Sequence, residues 1–399
     1  MRALPVSAVV VLLASACSDD VAGGGSGADV AADTVESVDA VDSGLEDIVF
    51  ADVTFDVADS HNDTSDDVTD SDPVDARDAG DGDGGPPPVP VRVSGRVVFM
   101  RTLHEVPRAA AGFEVTVDGA SAGTTDGDGQ FEVEAYAGAV LGVRALIAGS
   151  VVVQNASGTR VHSAPLGVAE GSGTAVLDES VLMGAVAAPF NIATVADAGL
   201  DWMEEIGGRP AAPVRFRWEA GDPWPCGSCF TGSAILLGGS TEDPDEWDDA
   251  IIVHELGHFV VASVSADSSS GGTHRDRRVA PTLAWAEGLA YFFAAAVLGD
   301  ALLIDTYESS DRRMDLERME VDGVVPPGLP GTSTGDLTGE MREELVSAVL
   351  FDAADAVDAA EGDDLALGFG YVFALTLDWD VGLSALDSGA VGIDLSDWL

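Results

Sequence analysis

Between Val91 and about residue 184 the chain alternates apolar and polar positions in short runs: "VRVSGRVVFM", "GFEVTVDG", "GQFEVEAY", "VLGVRALIAG" and "SVVVQN". A period of two puts alternate side chains on one face of a strand, and Gly- and Asp-rich turns separate the runs. The pattern predicts a small antiparallel β-sandwich over residues 91–184. From about Ala185 the period lengthens. In "FNIATVADAGLDWMEEIGG", Ile192, Val195, Leu200 and Met203 fall near one face and a Gly pair follows, which predicts an amphipathic helix. "APVRFRW" and "GSAILLGGS" read as strands. After "TEDPDEWDD" comes a helix running through "DDAIIVHELGHFVVAS". Its expected N-cap is Asp243 and its expected first residue Pro244, with acidic side chains favoured at the positive end of the helix dipole. "APTLAWAEGLAYFFAAAVLG" starts at Pro281, ends near Gly299 and is apolar almost all round, so it is expected to be a buried helix. Two more helices are predicted: "TGEMREELVSAVLFDAADAVDAAEG", with Leu345, Val349 and Ala353 in register, and "LALGFGYVFALTLDW".

Ahead of the strands the pattern is lost. Residues 18–90 are a low-complexity run of Asp, Val, Ala, Ser and Gly with 21 acidic residues and one Arg. Self-repulsion and scarce aromatics predict an extended, disordered tether. At 399 residues and 46% apolar, the remaining chain is long enough for two cores. The expected fold class is thus α+β multidomain: an acidic tether, a small antiparallel β-sandwich, and a mainly helical region over 185–399. Seventy acidic residues against 18 basic ones, all Arg, give a formal charge of −52. Such a chain repels phosphate backbones and anionic bilayers, so no nucleic-acid partner is expected.

The first residues, "MRALPVSAVVVLLASACSDD", place one Arg before an apolar stretch and then small residues and Cys17. This layout is too short to span a bilayer stably. It resembles the bacterial lipoprotein signal, in which the Cys becomes the lipidated first residue, although Ala14 stands where that pattern usually has Leu. The resemblance implies a signal over 1–17, a lipid on Cys17, and export to the cell envelope, at the outer membrane or cell surface, with membrane contact through the lipid. An ordinary signal cleaved near Ala16 is the other reading. No later segment is expected to cross a membrane. Export would put Cys226 and Cys229, in "PWPCGSCF", where disulfides persist, and a small structural disulfide is expected there. The order "VSGRVVF…GFEVTVDG…GTTDGDGQFEVEAYAG" resembles the carboxypeptidase regulatory-like, transthyretin-like domain. Its "DGDG" aspartates are expected to serve a turn.

The chemistry gathers around "HELGH". His254 and His258, at i and i+4, leave one helix face and can bind one ion. Glu255 reaches the open coordination position, which suits a general base acting on a zinc-bound water. "HELGHFVVASVSADS" offers no further His, so a third ligand must come from elsewhere. Glu287 is the one carboxylate in the middle of the apolar helix that follows, and a lone buried carboxylate is costly unless something pairs with it.

"HELGH" followed by "WAEGLAYF" resembles the gluzincin metallopeptidases, the group of thermolysin and aminopeptidase N. The resemblance implies a zincin-like metallopeptidase domain over 185–399 acting on peptide or protein substrates. It implies one zinc per chain on His254, His258 and Glu287, with Glu255 as the base. Tyr291 stands where many gluzincins carry an acidic residue that orients a ligand His, and the aminopeptidase "GxMEN" signature is missing. His274 and Tyr307 are the candidates for stabilising an oxyanion. "GSAILLGG" lies where an edge strand would pair with extended substrate. "THRDRR" is a basic cluster suited to local salt bridges or to a substrate carboxylate. Two alternatives stay open: an inactive zincin-fold lipoprotein that docks protein or glycan, and hydrolysis of a bond other than a peptide.

Overall fold

Ten strands come first: β1 (Pro90–Met100), β2 (Arg108–Ala109), β3 (Phe113–Val117), β4 (Ala120–Thr124), β5 (Gln130–Tyr136), β6 (Val140–Ile147), β7 (Val151–Gln154), β8 (Ser163–Val168), β9 (Gly173–Val176) and β10 (Ser180–Met183). The structure, a computed structural model, describes residues 88–265, 269, 271–272, 274, 279–307, 310–324, 342–356, 365–377 and 395–398. The signal segment with Cys17, residues 18–87 of the tether, and the arginines of "THRDRR" lie outside the described residues.

Alternation decides which face of each strand is buried. In β5, Phe131 and Val133 are buried while Gln130, Glu132 and Glu134 are exposed, and in β6 Leu141, Val143 and Ala145 are buried in the same rhythm. One sheet is built around β1, which pairs antiparallel with β2 and β5. Its pairings with β9 and β10 are parallel, a departure from the purely antiparallel expectation. The second sheet continues beyond residue 184. After α1 (Ala188–Glu205), β11 (Val214–Arg217) joins β7 in parallel, and β12 (Cys229–Phe230) and β13 (Ile235–Leu236) extend the sheet. Parallel neighbours need a crossover connection, and α1 forms its last limb, packed on β6 and β7. The boundary expected near residue 184 therefore falls within one continuous sheet.

The second sheet runs β12–β13–β11–β7–β6–β3–β4, with β8 also on β6. This corrects the reading of "GSAILLGG" as an edge: β13 has a neighbour on each side, and β12 is the outer strand. The whole is a mixed α+β structure, with α2 (Asp249–Val264), α3 (Pro281–Leu298), the strands β14 (Leu302–Thr306), β15 (Asp311–Asp315) and β16 (Glu320–Val321), then α4 (Glu343–Ala354) and α5 (Phe369–Leu377).

The start of α2 departs from expectation. Asp245–Trp247 form a separate 3-10 turn, and the helix begins at Asp249 with Asp248 as N-cap. The acids before it are not solvated dipole partners. Asp245 and Glu246 are buried, held by the Ser228 hydroxyl at 2.5 Å and by Trp218 Nε1 at 3.3 Å, and these inward bonds pull the chain out of helical register. By length and composition α3 is able to cross a membrane, contrary to the expectation that no later segment is, but 83% of its residues are packed inside the chain.

Two glycines set how closely the helices approach. A Cβ on Gly257 of α2 would stand 3.2 Å from Ala290 Cα of α3, and one on Gly288 would stand 2.5 Å from Val346 Cβ and 2.7 Å from the Glu343 carbonyl of α4. Both glycines adjoin chemistry-bearing residues. The sequence "HELGH" thus brings α3 against α2, and "AEGLA" brings the first turn of α4 beside Glu287.

Candidate metal centre

His254, Glu255 and His258 project from α2, and Glu287 comes from the facing side of α3. One oxygen, Glu287 Oε2, lies 3.3 Å from His254 Nε2 and 3.2 Å from His258 Nε2, while the two Nε2 atoms are 3.2 Å apart. One ligand atom from each of the three residues lies within 4.8 Å of the others. His254 and Glu287 are each 4% exposed. Burial lowers the pKa of His254, which favours the neutral imidazole. Burial alone would raise Glu287, but the charge of His258 and the hydrogen bonds from His254 and His258 outweigh it, holding the carboxyl well below its usual range. Neutral imidazole and ionised carboxylate are the forms that coordinate a metal.

Glu255, on α2, differs from Glu287, on α3, although both are buried. Burial raises its pKa, and its Oε2 has no hydrogen-bond partner. His254 Nδ1 is likewise without one. Tyr291, at the position where an acidic orienting residue was expected, packs its ring against that of His254 at a 48° tilt with centroids 4.2 Å apart, so His254 is steadied by packing at that position.

Of the two oxyanion candidates, His274 comes to the centre. Its Nε2 lies 3.8 Å from Glu287 Oε2, and its Nδ1 is hydrogen-bonded to Glu343, the first residue of α4. Burial would lower its pKa, but the hydrogen bond to Glu343 and the charges of Glu287 and Glu343 raise it to about 9, so it is a cation at neutral pH. Tyr307 also lines the cleft, where its hydroxyl donates to Asp305 Oδ2 at 2.9 Å. Cys226, joined to Cys229 by a disulfide, and Ser228 form part of the cleft wall, so the cysteine loop borders the site.

Sequence reasoning missed two residues here. Arg312 on β15 lines the cleft and approaches Glu343 Oε1 to 3.6 Å. Glu343 carries the ordinary sequence signature of a helix N-terminus, an acid in the first turn, yet it is 1% exposed. Arg312 had a faint signal: β15 alternates, so adjacent Arg312 and Arg313 must face opposite ways, and their side chains are 22% and 55% exposed.

No family model matches this chain, and no curated protein is similar to it. Asp243, Asp245 and Asp305 form a second acidic group along the same cleft. Burial, and then the charge of Asp243, raises Asp245 well above the carboxylate range, and the Ser228 hydroxyl that bonds it only partly offsets this.

Two imidazole nitrogens and a carboxylate oxygen converging at 3.2–3.3 Å in a buried spot fit a divalent ion with N/O preference such as zinc. Three protein ligands leave a further coordination position open. The unpartnered buried oxygen of Glu255 is compatible with the same assignment, since it leaves an acceptor free beside the converged set.

Proposed function

We propose that this chain is a zinc-dependent peptidase, in which His254, His258 and Glu287 hold the metal and Glu255 is the catalytic base. The finer reading belongs to the same proposal: zincin-like metallopeptidase chemistry within 185–399, carboxypeptidase regulatory-like strands within 91–184 whose sheet continues into β11–β13, and an acidic tether to a lipid on Cys17 at a bacterial cell envelope. The observation that carries it is the pairing of a converged His-His-Glu set with a neighbouring buried carboxylate whose oxygen has no partner, beside an open cleft that His254 and Glu255 line.

When bound, zinc would supply Lewis-acid polarisation of the attacking water and of the substrate carbonyl. Glu255, with its pKa raised by burial, takes a proton from that water as it attacks the peptide carbon. It then delivers the proton to the leaving amine, so the base ends as it began. His274 faces the cleft with its far nitrogen tied to Glu343, and it donates to the negative charge that develops on the former carbonyl oxygen. Arg312 sets its positive charge 3.6 Å from Glu343 Oε1, at the carboxyl oxygen that His274 does not engage.

The test is Glu255→Gln. Gln fills the same volume and leaves the three ligands intact, so zinc content measured on purified protein stays at wild-type level while hydrolysis of an unfolded protein falls by about 100- to 10,000-fold. Zinc binding without turnover in the wild type would favour the docking scaffold, and absence of zinc would defeat both readings.

A further inference from the structure

A cavity of about 130 Å3 lies where the end of β1 meets the first residue of α2, and it shares no lining residue with the metal cleft. One water needs about 10–15 Å3 by this measure, so the space suits a molecule of about ten heavy atoms.

Two cations stand in its wall. Arg101, directly after β1, lies over the Trp247 ring with Cζ 5.9 Å from the centroid, and among the described residues its guanidinium makes no hydrogen bond or salt bridge. The chain has 70 acidic residues against 18 basic ones, yet this guanidinium is left without a carboxylate as direct partner. Stacking on an aromatic face keeps the N–H groups in its plane free to donate. Arg108, on β2, is fixed by the buried Asn191, whose Oδ1 accepts from Nη1 at 2.8 Å, and a guanidinium has five N–H donors.

Two carboxylates answer them. Glu105 accepts the Arg101 N–H at 2.9 Å. Asp249, the first residue of α2, is met by Asn191 Nδ2 at 3.4 Å and by Arg108 Nη2 at 3.5 Å, both at the long limit of a hydrogen bond. Its side chain is 34% exposed and keeps acceptor capacity toward the cavity. Between the charges the wall is apolar, from Phe99, Met100, Val106 and the Trp247 ring.

Most ligand classes leave part of this wall unmatched. A simple anion would meet the two carboxylates, a simple cation the two arginines, and a sugar would set hydroxyls against the apolar side chains. A small zwitterion with an apolar body matches all of it. We infer that the cavity binds a free α-amino acid with an apolar side chain, such as leucine. Arg101 and Arg108 take the α-carboxylate, Asp249 takes the α-ammonium, and Phe99, Met100 and Val106 cover the side chain. This site goes beyond the peptidase reading and does not depend on it.

Isothermal titration of the full chain with L-leucine is expected to give one saturable site per chain with a Kd of about 0.1–1 mM. N-acetyl-leucine, which lacks the ammonium, and leucinamide, which lacks the carboxylate, are expected to bind at least about tenfold more weakly. Arg101→Gln removes a guanidinium that the fold does not hydrogen-bond, so its thermal melt stays at the wild-type value while leucine binding weakens about tenfold, and Asp249→Asn weakens it similarly. Absence of saturable leucine binding overturns the site. Equal binding of either derivative means that one of the two charges is not read, and overturns the amino-acid assignment. Leucine held by a metal in the cleft would bind both folded variants as it binds the wild type, and that result overturns the site as well. The comparison of leucine with its derivatives is made on the wild type and decides the question if a variant fails to fold.

Discussion

The strands before residue 184 and the helices after it bury different kinds of side chain. Among the described residues up to 184, the buried polar groups are hydroxyls, Thr116, Thr125 and Ser150; Thr125 donates to the Ala110 carbonyl and accepts from the Phe113 N–H. Beyond 184, Asp245, Glu246, Asp248, His254, Glu255, Glu287, Glu343 and Glu344 are all buried. Burying a charge is among the most expensive things a fold can do, and it persists only where partners or function compensate. The first region is arranged for stability. The second gives up stability to hold ionisable groups, some just ahead of α2 and the rest where α3 packs on α2 and α4.

The largest way to break that contrast is to remove a ligand. His258→Ala is expected to take zinc content from about one per chain to none, because two remaining ligands do not hold the ion, and to abolish hydrolysis. Metal analysis after dialysis reads it, and retained zinc would mean that the converged set is not the binding site. In the strand region, Phe113→Ala removes a ring that packs edge-on against Phe190 at 5.0 Å and is fully buried. The expected cost is about 3–5 kcal/mol in a urea titration, with zinc affinity of the folded fraction unchanged. A matching change in zinc affinity would show that the two regions are not separable in this way.

A smaller effect is expected at the edge of the site. Glu343→Gln keeps the side-chain volume but removes the charge that pairs with His274, and kcat/KM is expected to fall about 10- to 100-fold with zinc content unaltered. The alkaline limb of the rate profile should move to lower pH in the same variant, since His274 loses the partner that raises it to about 9. A variant slowed with an unmoved profile would assign Glu343 a purely structural part.

Much of this was legible in the sequence where one pattern dominated. Alternation placed β5 and β6, the Pro281 start and the Gly299 stop bounded α3, and helical spacing put His254 and His258 on one face. Glu287 stood out because it was the one carboxylate in the middle of an apolar helix. What escaped depended on tertiary partners. The start of α2 moved from Pro244 to Asp249 because Ser228 and Trp218, both distant in sequence, bind the acids ahead of it. The edge reading of β13 failed because β12, a two-residue strand, carries no pattern of its own. Glu343 was hidden because an acid at a helix N-terminus looks the same whether it meets water or a histidine.

The smallest predicted effect concerns Asp248, one of the buried acids that supports the site without touching the ligands. Its carboxylate accepts the Thr306 N–H at 2.7 Å and the Thr306 hydroxyl at 2.9 Å, which ties the N-cap of α2 to the end of β14. Burial nevertheless raises its pKa from 3.8 to about 6, with the bonds from Thr306 and the charge of Arg101 opposing and that of Asp305 adding to the rise. Between those two values the unfolded chain has released the proton and the folded chain still holds it. Stability from this group is therefore complete below about pH 4 and is lost as pH rises through about 6. Asn at this position keeps an acceptor for the N–H and gains a donor for the hydroxyl oxygen, but it does not titrate. The urea midpoint of Asp248→Asn relative to wild type is expected to rise between about pH 4 and 6 and to level off above, a difference that cancels the other acids common to both proteins. A difference that stays flat across that window would mean that Asp248 is ionised at no cost and belongs with the solvated acids of the surface.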